Sequence, residues 1–309
     1  MNNIDNKIEK AIQILNANGV VGIPTETVYG LAAAIDSEEG INCIFSTKER
    51  PFFDPLIVHI SSVEQAKSCT GQWNETCDLL VQSFWPGPLT LILPKNETIS
   101  EKITSGLKTV GLRMPDHQLC LDLIKKLGRP VAAPSANKFK KTSPTSAIHV
   151  QNSFQDLYVL DGGICEVGIE STILGFNENG DPVIYRPGMI TKAEIEKCLN
   201  TEVSIQESPV APGHLKHHYM PETPIIASIR HTDLTKHKEI ETNLLVAPLK
   251  WSLPIDPTEC ARVLYSKFRE LDQKSASSII IEFSKNQIED PHYEAIFNRL
   301  FKAARYKII

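Results

Sequence analysis

The chain has 309 residues, of which 41% are hydrophobic and 22% are charged. That length is enough for two domains, since domains commonly run about 100 to 200 residues. The formal net charge of -5 and the pI near 6.0 argue against a surface coated with phosphate-binding Lys and Arg, so any nucleic-acid contact must be local.

The amino terminus and the cysteines bear on the compartment. Met1-Asn2-Asn3-Ile4-Asp5 lacks the basic and then apolar layout of a secretory signal, and no run of about 20 apolar residues could span a bilayer. The seven cysteines are scattered without a C-x-x-C pair, which suits reduced thiols. We therefore expect a cytoplasmic protein.

Short apolar runs alternate with helical patterns along the first two thirds of the chain. A helix is predicted from Ile4 to Leu15, with Gly19 as its left-handed cap. Ser143-Pro144 suits a helix N-cap, and Thr191 to Glu194 has capping-box spacing. Strands are predicted at 20–23, 56–60, 89–93, 110–112 and 131–133, and helices near 37–47, 63, 78 and 115–127. The alternation predicts an α/β fold, in which ligands collect at strand ends.

The composition changes from Glu207 to Pro224, where proline and polar residues are too frequent for a helix or a central strand. Beyond this stretch, strands are predicted at 225–229, 244–247 and 279–283, with helices at 259–271 and 292–304. The sequence thus predicts a first domain at 1–206, a linker at 207–224 and a smaller α/β domain at 225–309.

Polar side chains follow several predicted strands and helices, and each has two interpretations. Pro24-Thr25-Glu26-Thr27 could hold a polar ligand or cap the next element. Lys48-Glu49-Arg50 could serve phosphates or form a solvated cluster that complements a helix dipole. His59 could be a ligand-binding residue or a satisfied buried histidine. Ser135-Ala136-Asn137 could bind phosphate or adenine edges, or shape a turn.

The remaining basic residues are equally open to two interpretations. Arg113 could bind a carboxylate with two parallel hydrogen bonds, and Arg186 supplies a guanidinium in a turn; the alternative for both is a structural ion pair. The lysines that follow Asn137 could attract a polyphosphate or be solvated. Histidines 214, 217 and 218 have no matching Cys or acidic ligands, so we expect no metal site there.

Several standard motifs are absent from the sequence. There is no Walker A loop, no G-x-G-x-x-G, no G-x-S-x-G and no H-E-x-x-H, which removes the usual hydrolase and dehydrogenase interpretations. The polar segments favour an enzyme that uses ATP to activate a small carboxylated substrate by adenylation.

Taken in order, the segments resemble the Sua5/YciO/YrdC family, and in particular its long Sua5 subtype. The resemblance is carried by Pro24 to Leu31, Lys48 to Pro51, Pro55 to His59, Phe84 to Thr90, Pro134 to Asn137 and Gly168 to Thr172, with linker features at Ala211-Pro212-Gly213 and His218-Tyr219. It implies a YrdC-like twisted mixed β-sheet with flanking helices, a linker that closes over the active site, and a smaller C-terminal Rossmann-like α/β domain.

The resemblance also implies an activity, L-threonylcarbamoyladenylate synthase. In this nucleotidyl transfer, threonine, bicarbonate or CO2 and ATP give threonylcarbamoyl-AMP and pyrophosphate, which feeds the t6A modification of tRNA. Mg2+ is expected with ATP, bound chiefly through phosphate oxygens. The expected partners are the machinery that transfers the product to tRNA and, weakly, RNA itself, but no membrane.

The resemblance carries residue roles onto matching positions. The threonine-site residues are Thr27, His59, Arg113, Ala133 and Ser171, and the ATP-site residues are Arg50, Asp54, Thr109, Ser135, Asn137, Ser143, Arg186 and Tyr219. Lys48 and Arg50 are the catalytic pair beside the phosphates. Asp54 stands where the family often has asparagine, which puts a negative charge near the nucleotide unless a cation compensates. No protein metal site is expected.

Two other functions compete with the synthase. An RNA-binding or ribosome-associated module is disfavoured by the net charge and by the lack of aromatic RNA motifs. Carbamoyl transfer, as in related hydrogenase-maturation domains, is disfavoured because the chain lacks their zinc-finger-like cysteine pairs.

Overall fold

The computed structural model describes residues 3–206 and 218–309. The chain forms two compact units, one of Met1–Phe139 and Pro144–His214, the other of Lys140–Ser143 and Leu215–Ile309. The predicted linker lies largely outside the described residues, because 207–217 are not among them. Within the described ranges, no helix is long and apolar enough to cross a membrane.

A mixed sheet of nine described strands forms the first unit, in the order β1-β2-β6-β3-β5-β4-β7-β8-β9. The strands are β1 (Val21–Ile23), β2 (Gly30–Ala34), β3 (Ile57–His59), β4 (Leu89–Pro94), β5 (Thr109–Arg113), β6 (Val131–Ala132), β7 (Thr172–Phe176), β8 (Pro182–Arg186) and β9 (Ser204–Ile205). The helices are α1 (Asn3–Asn16), α2 (Glu38–Lys48), α3 (Val63–Cys69), α4 (Glu75–Phe84), α5 (Glu101–Thr104), α6 (Gln118–Leu127), α7 (Ala147–Ser153) and α8 (Lys192–Leu199).

The two faces of this sheet differ in character. Alternate residues of a strand point to opposite faces, and on one face Val58, Leu91 and Leu112 join the main apolar core. On the other face, α1 and α6 cover β1 and β2 with a second apolar cluster that includes Ile8 and Leu123. The rest of the second face, from β3 to β8, carries the polar residues of the candidate site.

The second unit has an all-parallel sheet with strand order β11-β12-β10-β13. Its elements are β10 (Ile225–Ile229), β11 (Leu249–Ser252), α9 (Pro257–Asp272), β12 (Ile279–Phe283), α10 (Lys285–Glu289), α11 (Glu294–Ala303) and β13 (Ala304–Ile308), with 3-10 turns at Leu234–Lys236, Thr242–Leu245 and Pro291–Tyr293. A mixed sheet in one unit and a parallel sheet in the other confirm the predicted α/β class.

The second unit also includes four residues from the middle of the chain, Lys140–Ser143. Thr142 Oγ1 donates to Tyr219 O at 3.0 Å, and Arg269 Nη2 donates to Thr142 O at 2.5 Å. Met220 N donates to Lys140 O at 2.9 Å. The isolated parallel bridge between Lys141 and Met220 therefore joins, within this unit, two segments that are far apart in the sequence.

Three local predictions were wrong. Asn18, not Gly19, adopts the left-handed conformation after α1, with φ 60. The helix after Ser143 begins later, at Ala147 with Ser146 as its N-cap. The strand predicted at 244–247 is absent: a 3-10 turn occupies Thr242–Leu245, and the strand that pairs with β12 begins at Leu249. The predicted capping box at Thr191 is confirmed.

Gly188 is a position where the fold tolerates no side chain. A Cβ there would overlap the backbone nitrogen of Thr172 and lie 2.7 Å from the carbonyl carbon of Ser171. We expect Gly188→Ala to lower the free energy of unfolding of the first unit by about 3 kcal/mol. Urea unfolding followed by Trp fluorescence in a Trp251→Phe background measures this, since Trp73 and Trp85 then report the first unit.

Gly71→Ala is the matched control for this prediction. Its added Cβ would lie 3.7 Å from Lys95 O, which is an ordinary contact, so the stability should change by less than about 0.5 kcal/mol. Equal stability of the two variants would contradict the tight packing at Gly188.

Candidate active site

The polar residues of the second sheet face come from neighbouring strands in matching register. His59 of β3 pairs with Arg113 of β5, and Ile173 of β7 pairs with both Thr90 of β4 and Arg186 of β8. Residues paired across strands point to the same face. The sequence-predicted residues His59, Arg113 and Arg186 therefore share one surface of the sheet.

The floor of this surface is apolar. Ile57, Ile92 and Ile173 form a small buried cluster with Tyr185 packed against it. At Gly111, a Cβ would approach side chains of Ile92, Thr90 and Ile57 at 3.3 to 3.5 Å. Because glycine has no side chain, space is left above the backbone at the centre of this surface. From Ala133, just after β6, to Arg186 on β8 the surface spans about 24 Å, at about 4.8 Å per strand.

Arg113 lies at the end of β5 and is held from one side. Its Nε donates to Gly87 O at 3.3 Å, and its Nη2 donates to Glu26 Oε2 at 2.5 Å. Both side chains of the ion pair are only 5% exposed. A structural ion pair was one of the two interpretations of this arginine, and it is present. No residue in 3–206 or 218–309 accepts from Nη1, so the end of the guanidinium opposite the backbone remains available to a ligand carboxylate.

His59, beside Arg113, is buried and electrically neutral. Burial lowers its pKa to about 3, and the positive charge of Arg113 adds to the shift. The ring nitrogen Nδ1 lies 3.3 Å from Ile57 O and donates to it, which leaves Nε2 as an acceptor. The buried, satisfied histidine predicted as one alternative is therefore present, with one nitrogen still able to bind a hydroxyl.

Ser171 and Arg186 meet on the far side of the floor. Arg186 donates from Nε to Ser171 O and from Nη2 to Ser171 Oγ, both at 3.1 Å. The hydroxyls of Ser171 and Thr90 are 2.8 Å apart. Thr90 thus supports Ser171, a role that the sequence analysis did not assign although Thr90 lies in a family-like block.

Thr27 belongs to a turn tied together by hydroxyl groups. Thr25 Oγ1 donates to Val28 O at 2.6 Å and lies 2.8 Å from Thr27 Oγ1. Both threonines are buried, and the turn continues into β2, where Gly30 pairs with Ser135. Ala133 N donates to Ile57 O at 2.9 Å, which places Ala133 beside the apolar floor.

Lys48 binds the segment that follows β6. It ends α2, and its Nζ donates to Ser135 O and to Asn137 O at 2.5 Å each. The residue is 1% exposed, so the solvated-cluster interpretation is wrong for it. Burial, and then the charge of Arg50, hold the pKa of Lys48 well below its usual range, while Asp54 opposes the shift. An arriving anion would favour its charged form.

Arg50 and Asp54 form a buried ion pair next to Lys48. Arg50 Nη2 lies 2.9 Å from Asp54 Oδ2, and the same arginine donates to the backbone oxygens of Asp54 and Pro55. Neither carboxylate oxygen of Asp54 accepts a hydrogen bond from a described residue, so the contact is electrostatic without hydrogen-bond geometry. Arg50 is thus the cation that compensates the negative charge of Asp54, the residue that the sequence comparison placed where asparagine is often found.

The predicted residues therefore fall into two groups along β3. Lys48, Arg50, Asp54, Ser135 and Asn137 lie near Pro55, just before β3, and the group around His59 and Arg113 lies at its end. From Pro55 to His59 the extended backbone spans about 13 Å. Thr109 begins β5, two residues before the partner of Ile57, and so lies at the same end as the Lys48 group. Ser143 and Tyr219 are buried residues of the second unit, and their nucleotide role stays a prediction.

Glu26 is the residue that the sequence analysis missed. It was part of the polar turn, yet it received no role because a glutamate between two threonines is also common in a cap. The signal that could have found it is charge balance, since a buried Arg113 needs a counter-charge. Among the described residues, no group of three or more His, Cys, Asp or Glu side chains could hold a metal ion.

Comparisons with known proteins agree with this geometry. A family model described as "Telomere recombination", named for Sua5, YciO and YrdC, matches residues 13–188. The chain belongs to the Sua5/YciO/YrdC family. A second model, described as "Threonylcarbamoyl-AMP synthase, C-terminal domain", matches residues 190–305, as expected for the long Sua5 subtype.

Individual relatives in this family match most of the chain. A Pyrococcus abyssi protein named threonylcarbamoyl-AMP synthase is 37% identical, covering 98% of this chain and 95% of its own length. A Bacillus subtilis protein of the same name is 44% identical over 72% of this chain and 66% of its own length. The crystal structure of P. abyssi Sua5 complexed with L-threonine superposes with a TM-score of 0.87 at 35% identity, covering 98% of this chain and 95% of the other.

The depressed pKa of His59 makes stability depend on pH. The unfolded chain takes up a proton below about pH 6.5, whereas the folded chain keeps this ring neutral down to about pH 3. Acidification from pH 6.5 to pH 5 should therefore lower the unfolding free energy by about 2 kcal/mol through this residue.

Urea unfolding of the Trp251→Phe protein at several pH values, with and without His59→Gln, isolates this contribution. The variant should lose less stability than the parent across the same range, because glutamine does not titrate. Parallel pH dependences of the two proteins would show that His59 is not held neutral.

Proposed function

We propose that the chain is an L-threonylcarbamoyladenylate synthase, a nucleotidyltransferase that converts L-threonine, bicarbonate or CO2 and ATP to threonylcarbamoyl-AMP and pyrophosphate. The observation that carries the proposal is the presence, on one unit, of two separate buried cationic groups: Arg113 beside His59 at the end of β3 and β5, and Lys48 with Arg50 near Pro55, just before β3. The backbone from Pro55 to His59 spans about 13 Å. A carboxylated amino acid and a triphosphate both need such groups.

The first group suits an amino acid. Arg113 presents the free end of its guanidinium to a carboxylate, and His59 Nε2 accepts from the threonine hydroxyl without adding charge. The low floor at Gly111 and the side chains of Thr27, Ala133 and Ser171 shape the space for the rest of the molecule. The neutral amine of threonine then attacks the carbon of CO2: the N–C bond forms, one C=O π pair moves to oxygen to give the carbamate, and the proton lost from nitrogen passes to bicarbonate or water.

The second group suits the nucleotide. The carbamate oxygen attacks the α-phosphorus of ATP, and pyrophosphate leaves with the electron pair of the broken P–O bond. Lys48 and Arg50 offset the negative charge that accumulates on the phosphate oxygens, in a site where burial strengthens the interaction. No protein nucleophile is needed, because positioning and charge stabilisation supply the rate.

Mg2+ is proposed as the partner of ATP. Mg2+ usually keeps several waters and is held largely by the phosphate oxygens of its substrate. It therefore does not need a cluster of three protein ligands, and the described residues contain none. When bound, it would offset charge on the triphosphate. Asp54 is the carboxylate of the group that contains Lys48 and Arg50, so its oxygens are the charged ligands that this group could offer to the ion.

The proposed biological setting follows from the product. We expect a cytoplasmic enzyme whose product passes to the machinery that transfers threonylcarbamoyl to tRNA. Asn137, Thr109, Ser143, Arg186 and Tyr219 remain proposed nucleotide contacts. Weak RNA binding is a secondary proposal that concerns local basic surfaces only.

Release of pyrophosphate from ATP tests the function directly. We expect release that requires both L-threonine and bicarbonate, with threonylcarbamoyl-AMP detected by mass spectrometry. Release that ignores threonine would exclude the synthase. Release that depends on carbamoyl phosphate would favour carbamoyl transfer, and RNA binding without any release would favour the RNA-binding module.

Arg113→Ala should act on threonine rather than on ATP. Loss of a charged hydrogen-bond donor is expected to raise KM for threonine by about 10- to 100-fold, with the Kd for ATP changed less than about twofold. Steady-state kinetics and ATP calorimetry measure the two values. Arg129→Ala, at a more exposed arginine paired with Asp36, is the matched control and should leave both unchanged.

Lys48→Ala should act on the chemical step. We expect kcat to fall by about 100-fold while KM for threonine changes less than about threefold, because a cation facing the phosphates stabilises charge in the transition state. Lys102→Ala removes a surface lysine paired with Glu38 and is the control. Equal losses of threonine affinity in the Arg113 and Lys48 variants would refute the division of roles.

A further inference from the structure

Glu26 is a buried carboxylate with one oxygen in use. Its Oε2 pairs with Arg113 Nη2, whereas its Oε1 accepts no hydrogen bond from a described residue. A buried acceptor without a donor costs about 1–3 kcal/mol. A ligand that donates to Oε1 would remove this cost on binding.

The net charge around Arg113 is zero. Glu26 is the anion of the group and Arg113 the cation, while His59 is neutral because burial lowers its pKa to about 3. The nearby thiols of Cys120 and Cys165 also stay neutral, since burial, reinforced by the charge of Glu26, raises the pKa of each to about 12. A buried site that carries one charge of each sign is matched to a ligand that carries one of each.

The position of Glu26 suits the α-ammonium group of an amino acid whose carboxylate binds Arg113. Glu26 and Gly87 hold the Nε and Nη2 side of Arg113, so that a substrate carboxylate is left with the other end of the guanidinium. The α-ammonium of an amino acid is separated from its carboxylate by one carbon. A carboxylate bound to Arg113 therefore brings its ammonium into the neighbourhood of the glutamate that touches the same guanidinium.

We propose that Glu26 binds the α-ammonium group of the substrate through its Oε1, and that this contact makes the site select amino acids over carboxylates that lack an amine. The proposal rests on the proposed function for the identity of the amino acid. Glu26 also fixes the backbone of its turn, since Val167 N donates to Glu26 O at 2.8 Å, but that contact is independent of the side chain.

The test compares two ligands that differ only in the amine. Isothermal calorimetry measures binding of L-threonine and of 3-hydroxybutanoate, which keeps the carboxylate and the hydroxyl of threonine but has hydrogen in place of the amine. The unsubstituted chain should bind threonine at least about 10-fold more tightly. In Glu26→Gln, threonine should weaken by about 10-fold or more while 3-hydroxybutanoate does not weaken, so that the preference is lost.

Arg113→Ala should weaken the binding of both ligands, because both carry the carboxylate. Glu9→Gln, at an exposed glutamate of α1, is the matched control and should change neither. If Glu26→Gln weakens both ligands alike, Glu26 has only a structural role and the proposal is overturned. Unchanged preference in Glu26→Gln overturns it as well.

A folding defect is separated from a binding effect by melting curves for each variant. If Glu26→Gln does not fold, Glu26→Asp keeps the charge with a shorter side chain. It should retain a preference for threonine, and loss of that preference would count against the proposal. Calorimetry does not require turnover: an unsubstituted chain that fails to bind threonine refutes the proposed function, whereas a bound threonine with unchanged selectivity refutes only the role of Glu26.

Discussion

The alternation of side chains along the central strand β5 is the constraint on which the site depends. Val110 and Leu112 belong to the main apolar core, while Thr109, Gly111 and Arg113 face the opposite side. A shift of pairing by one residue would exchange the two sets, burying a guanidinium in the core. The hydrophobic core therefore fixes which residues can reach the substrate, and the same requirement extends to the neighbouring strands.

Electrostatic balance is the second constraint, because the site buries several charges. Arg113 is balanced by Glu26 and Arg50 by Asp54, and each pair is almost fully removed from solvent. Among the residues that the structure describes, none places a carboxylate at hydrogen-bond distance from Lys48, and two backbone carbonyls accept from its Nζ instead. A bound anion that keeps Lys48 protonated would give the proposed phosphate end of the site an excess positive charge, whereas the proposed amino-acid end is neutral. Under the proposed function, the two ends would thereby discriminate between a zwitterion and a polyanion.

Local sequence rules predicted most elements and failed in identifiable ways. The strands at 57–59, 89–94 and 279–283 and the long helices were found because their apolar spacing is dictated by the same core that they build. The strand predicted at 244–247 was wrong because a short apolar run fits a strand and a turn equally, and only pairing decides. β13 was missed although Ala304, Tyr306 and Ile308 alternate with Arg305 and Lys307 as in a half-buried strand, because the segment is short and directly follows a predicted helix.

The sequence by itself determined the fold class, the family and the segments in which the functional residues lie, because these follow from short motifs and from apolar periodicity. The tertiary structure decided which members of those segments meet. Glu26 pairs with Arg113, which is 87 residues away in the sequence. Lys48 is buried against backbone carbonyls, and Asp54 pairs with Arg50. Such pairings depend on strand order and register, which join residues distant along the chain and which local patterns do not encode.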